Sequence, residues 1–97
     1  MKDDRFKYRI EGIYHSGRLG TRWKEVDDLK YDGLVGCFCS FDPKEVEQFK
    51  GIRFFLKDHP YHSWWETTAV LQLAKDFDDN YVLETVNTIY MFKEVKE

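Results

Sequence analysis

The stretch YVLETVNTIYMFKEV, residues 81–95, is rich in β-forming side chains and predicts a long final strand. Apolar side chains occur on both sides of this strand. They are Val82, Val86, Tyr90 and Phe92 on one side and Leu83, Ile89 and Met91 on the other. A strand that is buried on both faces shows this pattern, so we expect it to be central in a sheet or strongly curved.

Shorter segments upstream predict the rest of the sheet. In residues 6–11, apolar side chains alternate with charged ones, as they do in a strand with one buried face. Further strands are expected within 22–26, 34–41, 52–57 and 64–74, and turns at 16–20 and 77–80. The sum is a mainly β or α+β chain of five or six antiparallel strands. A small barrel or a strongly bent sheet closes such strands without long open edges.

One short helix is expected near residues 43–50. Asp42 is a suitable N-cap, Pro43 suits the first helical position, and Glu45 completes an Asp-x-x-Glu capping box. Gly51 would end the helix after roughly two turns.

The composition fits a single small globular domain spanning residues 1–97. Aromatic residues make up 18% of the chain and charged residues 34%, which supplies both a core and a solvated surface. The N-terminus has no apolar signal segment, and no apolar run is long enough to cross a membrane. Cys37 and Cys39 are poorly spaced for a disulfide within a strand, so we expect reduced thiols and a cytoplasmic location.

The charge is unevenly distributed along the chain. The formal net charge of −3 combines +3 over residues 1–26 with −6 over the remainder. Either the two parts pair in the fold, or the asymmetry marks an interaction surface. Around residues 5–9, basic and aromatic side chains alternate, which would suit a small barrel that stacks single-stranded bases. The basic residues of this alternative site are Arg5, Lys7, Arg9 and Arg22.

Four residues could in principle ligate zinc, namely Cys37, Cys39, His59 and His62. The C-x-C spacing lacks the knuckle turn of zinc sites, and Pro60 separates the histidines, so we predict no metal and no cofactor. No phosphate-binding glycine loop and no catalytic cysteine signature occurs, so we also expect a protein that is not an enzyme.

The stretch HPYHSWWETT, residues 59–68, is the best candidate for a contact site. Adjacent residues in a strand point to opposite faces, so Trp64 and Trp65 should differ in burial. Trp65 shares its side of the strand with the more apolar residues and is expected to point inward. Exposed tyrosine and tryptophan often anchor interfaces. The predicted partner-binding residues are Tyr61, His62, Trp64 and Trp65.

The C-terminal part resembles a known sequence pattern. Residues 67–73, TTAVLQL, and residues 84–92, ETVNTIYMF, are similar to a hairpin in small uncharacterised bacterial and phage proteins. In that pattern serine is usual where this chain has Thr68 and Thr88. The resemblance implies a small β domain from a bacterium or its phage, and it carries no activity or site residues.

These observations together predict a small non-catalytic domain that binds another protein. A modulator of a host protein, encoded by a phage or mobile element, would fit the resemblance. The alternative is a small barrel that binds single-stranded nucleic acid through its basic, aromatic N-terminal hairpin. The sequence does not indicate an oligomeric state.

Overall fold

The computed structural model describes residues 6–15, 24–25, 31–76, 78 and 80–95, which form one strongly curled antiparallel sheet. Its strands are β1 (Tyr8–His15), β2 (Lys24–Glu25), β3 (Phe38–Ser40), β4 (Arg53–Lys57), β5 (Trp64–Glu66), β6 (Val70–Lys75), β7 (Tyr81–Thr85) and β8 (Thr88–Glu94). Seven strands follow the order β5-β4-β3-β1-β8-β7-β6, and β2 pairs with the end of β1. The predicted mainly β, strongly bent sheet is therefore confirmed, with more strands than the five or six expected.

The predicted final strand is interrupted by a tight turn. Val86 and Asn87 connect β7 to β8, and the two strands then pair antiparallel. The hydroxyl of Thr85 closes this turn, because it donates to the carbonyl of Thr88 at 2.7 Å and accepts from the amide of Thr88 at 3.1 Å. The expected central position holds for β8, which lies between β1 and β7.

The concave side of the sheet holds an aromatic core. Phe92 stacks on Phe41 with ring centroids 4.5 Å apart and meets Phe54 edge to face at 5.4 Å. Ile10 and Leu83, from β1 and β7, are fully buried beside them. Large rings bury much area per residue, which lets a short chain exclude water from one core.

Backbone hydrogen bonds outside the strands draw the two edges of the sheet together at one end. The amide of Phe49 donates to the carbonyl of Val70, and the amide of Val70 donates to the carbonyl of Lys50. The amide of Thr67 donates to the carbonyl of Ile52, which extends the β4–β5 pairing by one residue towards this end. At Gly51 a Cβ would lie 2.6 Å from the carbonyl oxygen of Thr67, so this close approach requires glycine.

The predicted helix is a single 3-10 turn, Pro43–Glu45. Asp42 does cap it, accepting the amide of Lys44 at 3.0 Å. Val46 is already extended, and Phe49 adopts a positive φ of 71°. The residues expected to complete two helical turns instead reach across to β6, and the hydrogen bonds made there replace those of the helix.

Candidate functional site

The convex side of strands β8, β1, β3, β4 and β5 carries a basic and aromatic surface. One row of directly paired residues crosses four strands in the order Lys93, Arg9, Phe38, Lys57. A second row holds Ser40, Phe55 and Trp64, and Lys7, the residue before β1, lies beside it. Arg53 and Glu66 form a third pair. We call these residues together the basic-aromatic face. Its cations are Lys7, Arg9, Arg53, Lys57 and Lys93, and Glu66 is the one carboxylate among these positions.

Arg9 lies directly opposite Lys93 across the β1–β8 ladder. Both side chains are exposed, and on its other side Arg9 pairs with Phe38 rather than with an acidic residue. Cross-strand neighbours have Cβ atoms about 5 Å apart, and like charges at that position lower the stability of the sheet. Arg9, a cation of the basic N-terminal part, therefore lies opposite another cation, Lys93, rather than opposite an acidic residue of the remainder.

Trp64 and Phe55 form the exposed aromatic part of the face. The two are cross-strand partners, and 44% of Trp64 and 52% of Phe55 are exposed. The guanidinium of Arg53 lies over the Trp64 ring, 4.3 Å from its centroid, and Nη2 of Arg53 lies 3.8 Å from Oε1 of Glu66. Arg53 thereby orients the indole, and its partly exposed contact with Glu66 adds little stability.

Trp65 points to the concave side, as the alternation predicts, and belongs to a second group that we call the inner cluster. Its members are Tyr31, Trp65, Thr88 and Tyr90. Nε1 of Trp65 donates to the hydroxyl of Tyr90 at 3.1 Å, and the hydroxyls of Tyr31 and Thr88 are 2.9 Å apart. Trp65 is half-buried against the core. As a contact residue it is therefore less accessible than Trp64.

Burial raises the pKa of Tyr90 to about 12. The hydrogen bond from Trp65 acts in the opposite direction, because it stabilises the phenolate; the nearby hydroxyl of Tyr31 adds to the rise, and the Thr88 bond opposes it. Tyr90 consequently stays a neutral phenol at physiological pH and serves here as a hydrogen-bonding core residue.

The loop before β5 is held in place by His59. Its Nδ1 accepts the backbone amides of Tyr61 at 3.1 Å and His62 at 3.0 Å. That nitrogen therefore carries no proton, and Nε2, 3.0 Å from the carbonyl oxygen of Asp32, is the protonated one. The loop leaves Tyr61 80% exposed, while the ring of His62 lies near Trp65. Of the predicted contact residues, Tyr61, His62 and Trp64 are exposed together.

An open groove of about 710 Å³ adjoins the basic-aromatic face. Lys7, Ser40, Arg53 and Phe55 belong to both, so the two surfaces are continuous. The remaining groove residues come from the start of β1, from the segment after β3 that contains the 3-10 turn, and from the start of β7. They are Tyr8, Phe41, Asp42, Pro43, Lys44, Glu45 and Tyr81.

The four residues weighed as zinc ligands have different surroundings. Cys39 is fully buried in the core, and burial strongly raises the pKa of its thiol. Cys37 donates to the carbonyl of Gly33 at 2.9 Å, and burial followed by the charge of Asp58 raises its thiol pKa. Raised pKa values disfavour the thiolate, the form that attacks substrates and binds metals. Within the described ranges, no group of three or more potential ligands could hold a metal ion.

The structure brings only part of the predicted nucleic-acid site together. Lys7 and Arg9 lie on the basic-aromatic face, while Arg5 and Arg22 fall outside the described residues. The sequence analysis did not single out Phe38, Arg53, Phe55, Lys57 or Lys93. The alternation of residues 53–57 was the available signal, because it places Arg53, Phe55 and Lys57 on the side opposite the buried Phe54 and Leu56.

In the part of the chain that the structure describes, no helix has the length and apolar character needed to span a membrane. Comparison of the chain with protein-family models, with curated proteins and with solved structures gives no match.

Proposed function

We propose that this chain is a non-catalytic binding domain whose basic-aromatic face binds single-stranded nucleic acid. The observation that carries the proposal is the row Lys93, Arg9, Phe38, Lys57. Four separate strands contribute to it, and no acidic partner interrupts it. A like-charge pair that lowers stability is understandable where an anionic ligand neutralises it on binding.

The spacing of the row supports a phosphate backbone as that ligand. Neighbouring strands lie about 4.8 Å apart, so Lys93 and Lys57, three strands apart, span about 14 Å. Three cations over that length can follow the phosphates of a short strand. The chain as a whole is acidic, but charges act mainly within a Debye length of about 8 Å, so the local charge of the face governs contact.

The exposed rings favour a single strand over a duplex. Trp64 and Phe55 are adjacent to the cationic row and partly open to solvent, so unpaired bases can stack on them. In a duplex the base faces are already stacked on each other, and sequence is read instead by elements that enter a groove. The described part of the face offers a curved sheet surface rather than such a protruding element.

The test is fluorescence anisotropy with a labelled ten-nucleotide oligo-dT at several salt concentrations. We expect the unsubstituted protein to bind with a clear salt dependence. Arg9→Gln should weaken binding severalfold and reduce the salt slope by about one, as loss of a phosphate contact does. Lys50→Gln is the matched control, because Lys50 lies in the loop before β4 and forms an ion pair with Glu47 rather than belonging to the basic-aromatic face. It should bind like the unsubstituted protein.

Arg9→Gln has a second, independent readout. Removing one member of the like-charge pair should leave the free energy of unfolding unchanged or raise it by up to about 0.5 kcal/mol. Weaker binding with undiminished stability would support a functional role for Arg9. The proposal fails if oligo-dT does not bind at low salt, or if Lys50→Gln weakens binding as much as Arg9→Gln does.

A protein partner is the second candidate, favoured by the exposed side chains Tyr61, Trp64 and Phe55. Tyrosine and tryptophan are the residue types that most often dominate interface energies. In this proposal the chain is a small modulator of a host protein, and Tyr61, His62 and Trp64 form its contact patch. An affinity pull-down with and without nuclease separates the two candidates: a partner that survives nuclease and is lost with Tyr61→Ala supports the protein, and loss of all partners with nuclease opposes it.

A further inference from the structure

The groove beside the basic-aromatic face combines three kinds of group. Tyr8, Phe41 and Tyr81 line its base, with ring centroids 5.4 to 5.9 Å apart in edge-to-face contacts. Tyr8 and Phe41 are buried, and the half-buried Tyr81 offers the most accessible ring. Lys7, Lys44 and Arg53 surround it with positive charge, and Asp42 and Glu45 supply carboxylates. Aromatic walls with a few polar groups are typical of sites for small planar ligands.

Asp42 is the better positioned of the two carboxylates. Its Oδ1 accepts the amide of Lys44 at 3.0 Å, which holds the side chain at the start of the 3-10 turn. Glu45 has a longer side chain and lies at the other end of the same turn; both carboxylates are exposed. An oriented carboxylate in a site is a hydrogen-bond acceptor for a ligand that presents adjacent N–H donors.

We propose that the groove binds one guanine nucleotide, with the base against the half-buried ring of Tyr81 and its N1–H and N2–H donors on the carboxylate of Asp42. Among the common bases, guanine is the one whose Watson–Crick edge presents two adjacent donors to a carboxylate. The phosphate lies towards Lys7 and Arg53, where the groove meets the face. This inference deepens the proposed function, on which it rests: the guanine is a residue of the bound strand, which makes the domain selective for guanine-containing single strands.

The volume and position of the groove agree with this ligand. A groove of about 710 Å³ is large enough to accommodate a single nucleotide. Because Phe55 and Arg53 line both surfaces, a strand that stacks on Trp64 can continue into the groove without leaving the protein.

The test is a pair of NMR titrations of the ¹⁵N-labelled chain. In the first, GMP and UMP are added separately as mononucleotide probes. We expect GMP to shift the backbone amides of Ser40, Lys44 and Tyr81 with a dissociation constant near 1 mM, and UMP to bind at least about fivefold more weakly. In the second, oligo-dT is added, and the shifts should concentrate on Arg9, Phe38 and Lys57.

Two variants separate the role of Asp42 from general charge. Asp42→Asn keeps an acceptor oxygen for the amide of Lys44 but removes the negative charge, so it should lower GMP affinity about tenfold with little effect on UMP. Asp58→Asn is the matched control, because Asp58 is an exposed carboxylate outside the groove with a φ of 65° that asparagine tolerates. It should leave both affinities unchanged.

The outcomes distinguish this inference from the proposed function. Groove shifts with GMP and none with oligo-dT would support the groove as a site for a guanine mononucleotide. The same result would overturn both binding of strands by the face and the placement of the guanine within a bound strand. Face shifts with oligo-dT and no groove shifts up to 5 mM GMP, a limit of about five times the expected constant, would overturn the guanine site alone. Equal affinity for GMP and UMP, or an unchanged GMP affinity in Asp42→Asn, would also overturn it.

Discussion

The convex and concave sides of β5 present neighbouring tryptophans to opposite surroundings. On the convex side, Trp64 lies under the guanidinium of Arg53, beside Phe55, and remains partly exposed. On the concave side, Trp65 donates to the hydroxyl of Tyr90 and packs against the core. Both rings have polar partners, but only Trp65 has one that is buried, the hydroxyl-bearing side chain of Tyr90. The same residue type thus contributes mainly to stability on one side and is available for binding on the other.

Among the variants that test this difference between the two sides, Trp65→Ala should lower the free energy of unfolding the most. Trp65→Ala leaves a cavity beside the core and removes the donor to the hydroxyl of Tyr90. We expect a loss of about 3–5 kcal/mol in the free energy of unfolding, measured by urea denaturation. Trp65→Phe is the control, since it keeps most of the ring volume and should cost less. A loss below about 1 kcal/mol for Trp65→Ala would place this ring outside the core.

Alkaline pH should also act selectively on the inner cluster. Burial holds the pKa of Tyr90 near 12, against an ordinary value of 10.0. Below pH 10 both the folded and the unfolded protein carry the neutral phenol. Between pH 10 and about 12 the unfolded phenol ionises first, so stability falls as the pH rises, by about 2–3 kcal/mol in total.

The measurement is the denaturation midpoint from pH 8 to 12, compared with that of Tyr90→Phe. Tyr8 also has a raised pKa, from burial and then from the nearby charge of Glu94, so the unsubstituted protein contains both contributions. Tyr90→Phe should show a shallower alkaline loss because its buried ring cannot ionise. Identical pH profiles for the two proteins would show that Tyr90 is not buried as the structure has it.

A substitution in the turn between β7 and β8 tests how much one buried hydroxyl, that of Thr85, contributes to stability. Thr85 is fully buried, and its Oγ1 both donates to and accepts from the backbone of Thr88. Thr85→Val keeps the shape but leaves the amide of Thr88 without this acceptor, so we expect a loss of about 1–2 kcal/mol by urea denaturation. Thr85→Ser retains the hydroxyl and should be the milder change. If serine proves as costly as valine, packing of the methyl group rather than the hydrogen bond stabilises the turn.

The sequence was informative where a pattern repeats within one segment. Two-residue alternation predicted the inward position of Trp65, and apolar residues on both sides predicted a central final strand. It did not predict the turn at Val86 and Asn87, because neither residue is glycine or proline. The turn is closed by hydrogen bonds between the hydroxyl of Thr85 and the backbone of Thr88. Threonine is also common in strands, so these residues did not indicate a turn within a run of β-forming residues.

Features that depend on contacts between distant segments could not be predicted from patterns within one segment. Asp42 and Pro43 do begin a helical turn, as their residue types predict. The amide of Phe49 then donates to the carbonyl of Val70, and the amide of Val70 donates to the carbonyl of Lys50; these hydrogen bonds replace the later helical turn. The basic-aromatic face depends on the register of strands whose residues are far apart in sequence, such as Arg9 and Lys93. Net charge sums over all surfaces, so it could not show that the cations of this part of the sheet lie side by side.

The smallest loss of stability among these variants is expected at Trp64. Trp64→Ala removes a cation–π contact with Arg53 and a cross-strand contact with Phe55, both open to solvent. Each contributes about 0.5–1 kcal/mol at exposed positions, and the side chain regains conformational freedom when they are lost. We therefore expect a loss of about 1 kcal/mol or less, seen as a lower urea midpoint with an unchanged slope. Oligo-dT affinity should nevertheless fall about tenfold, because one stacking surface is gone. A loss of stability equal to that of Trp65→Ala would mean that both tryptophans support the core, and the distinction between the two sides of β5 would no longer hold.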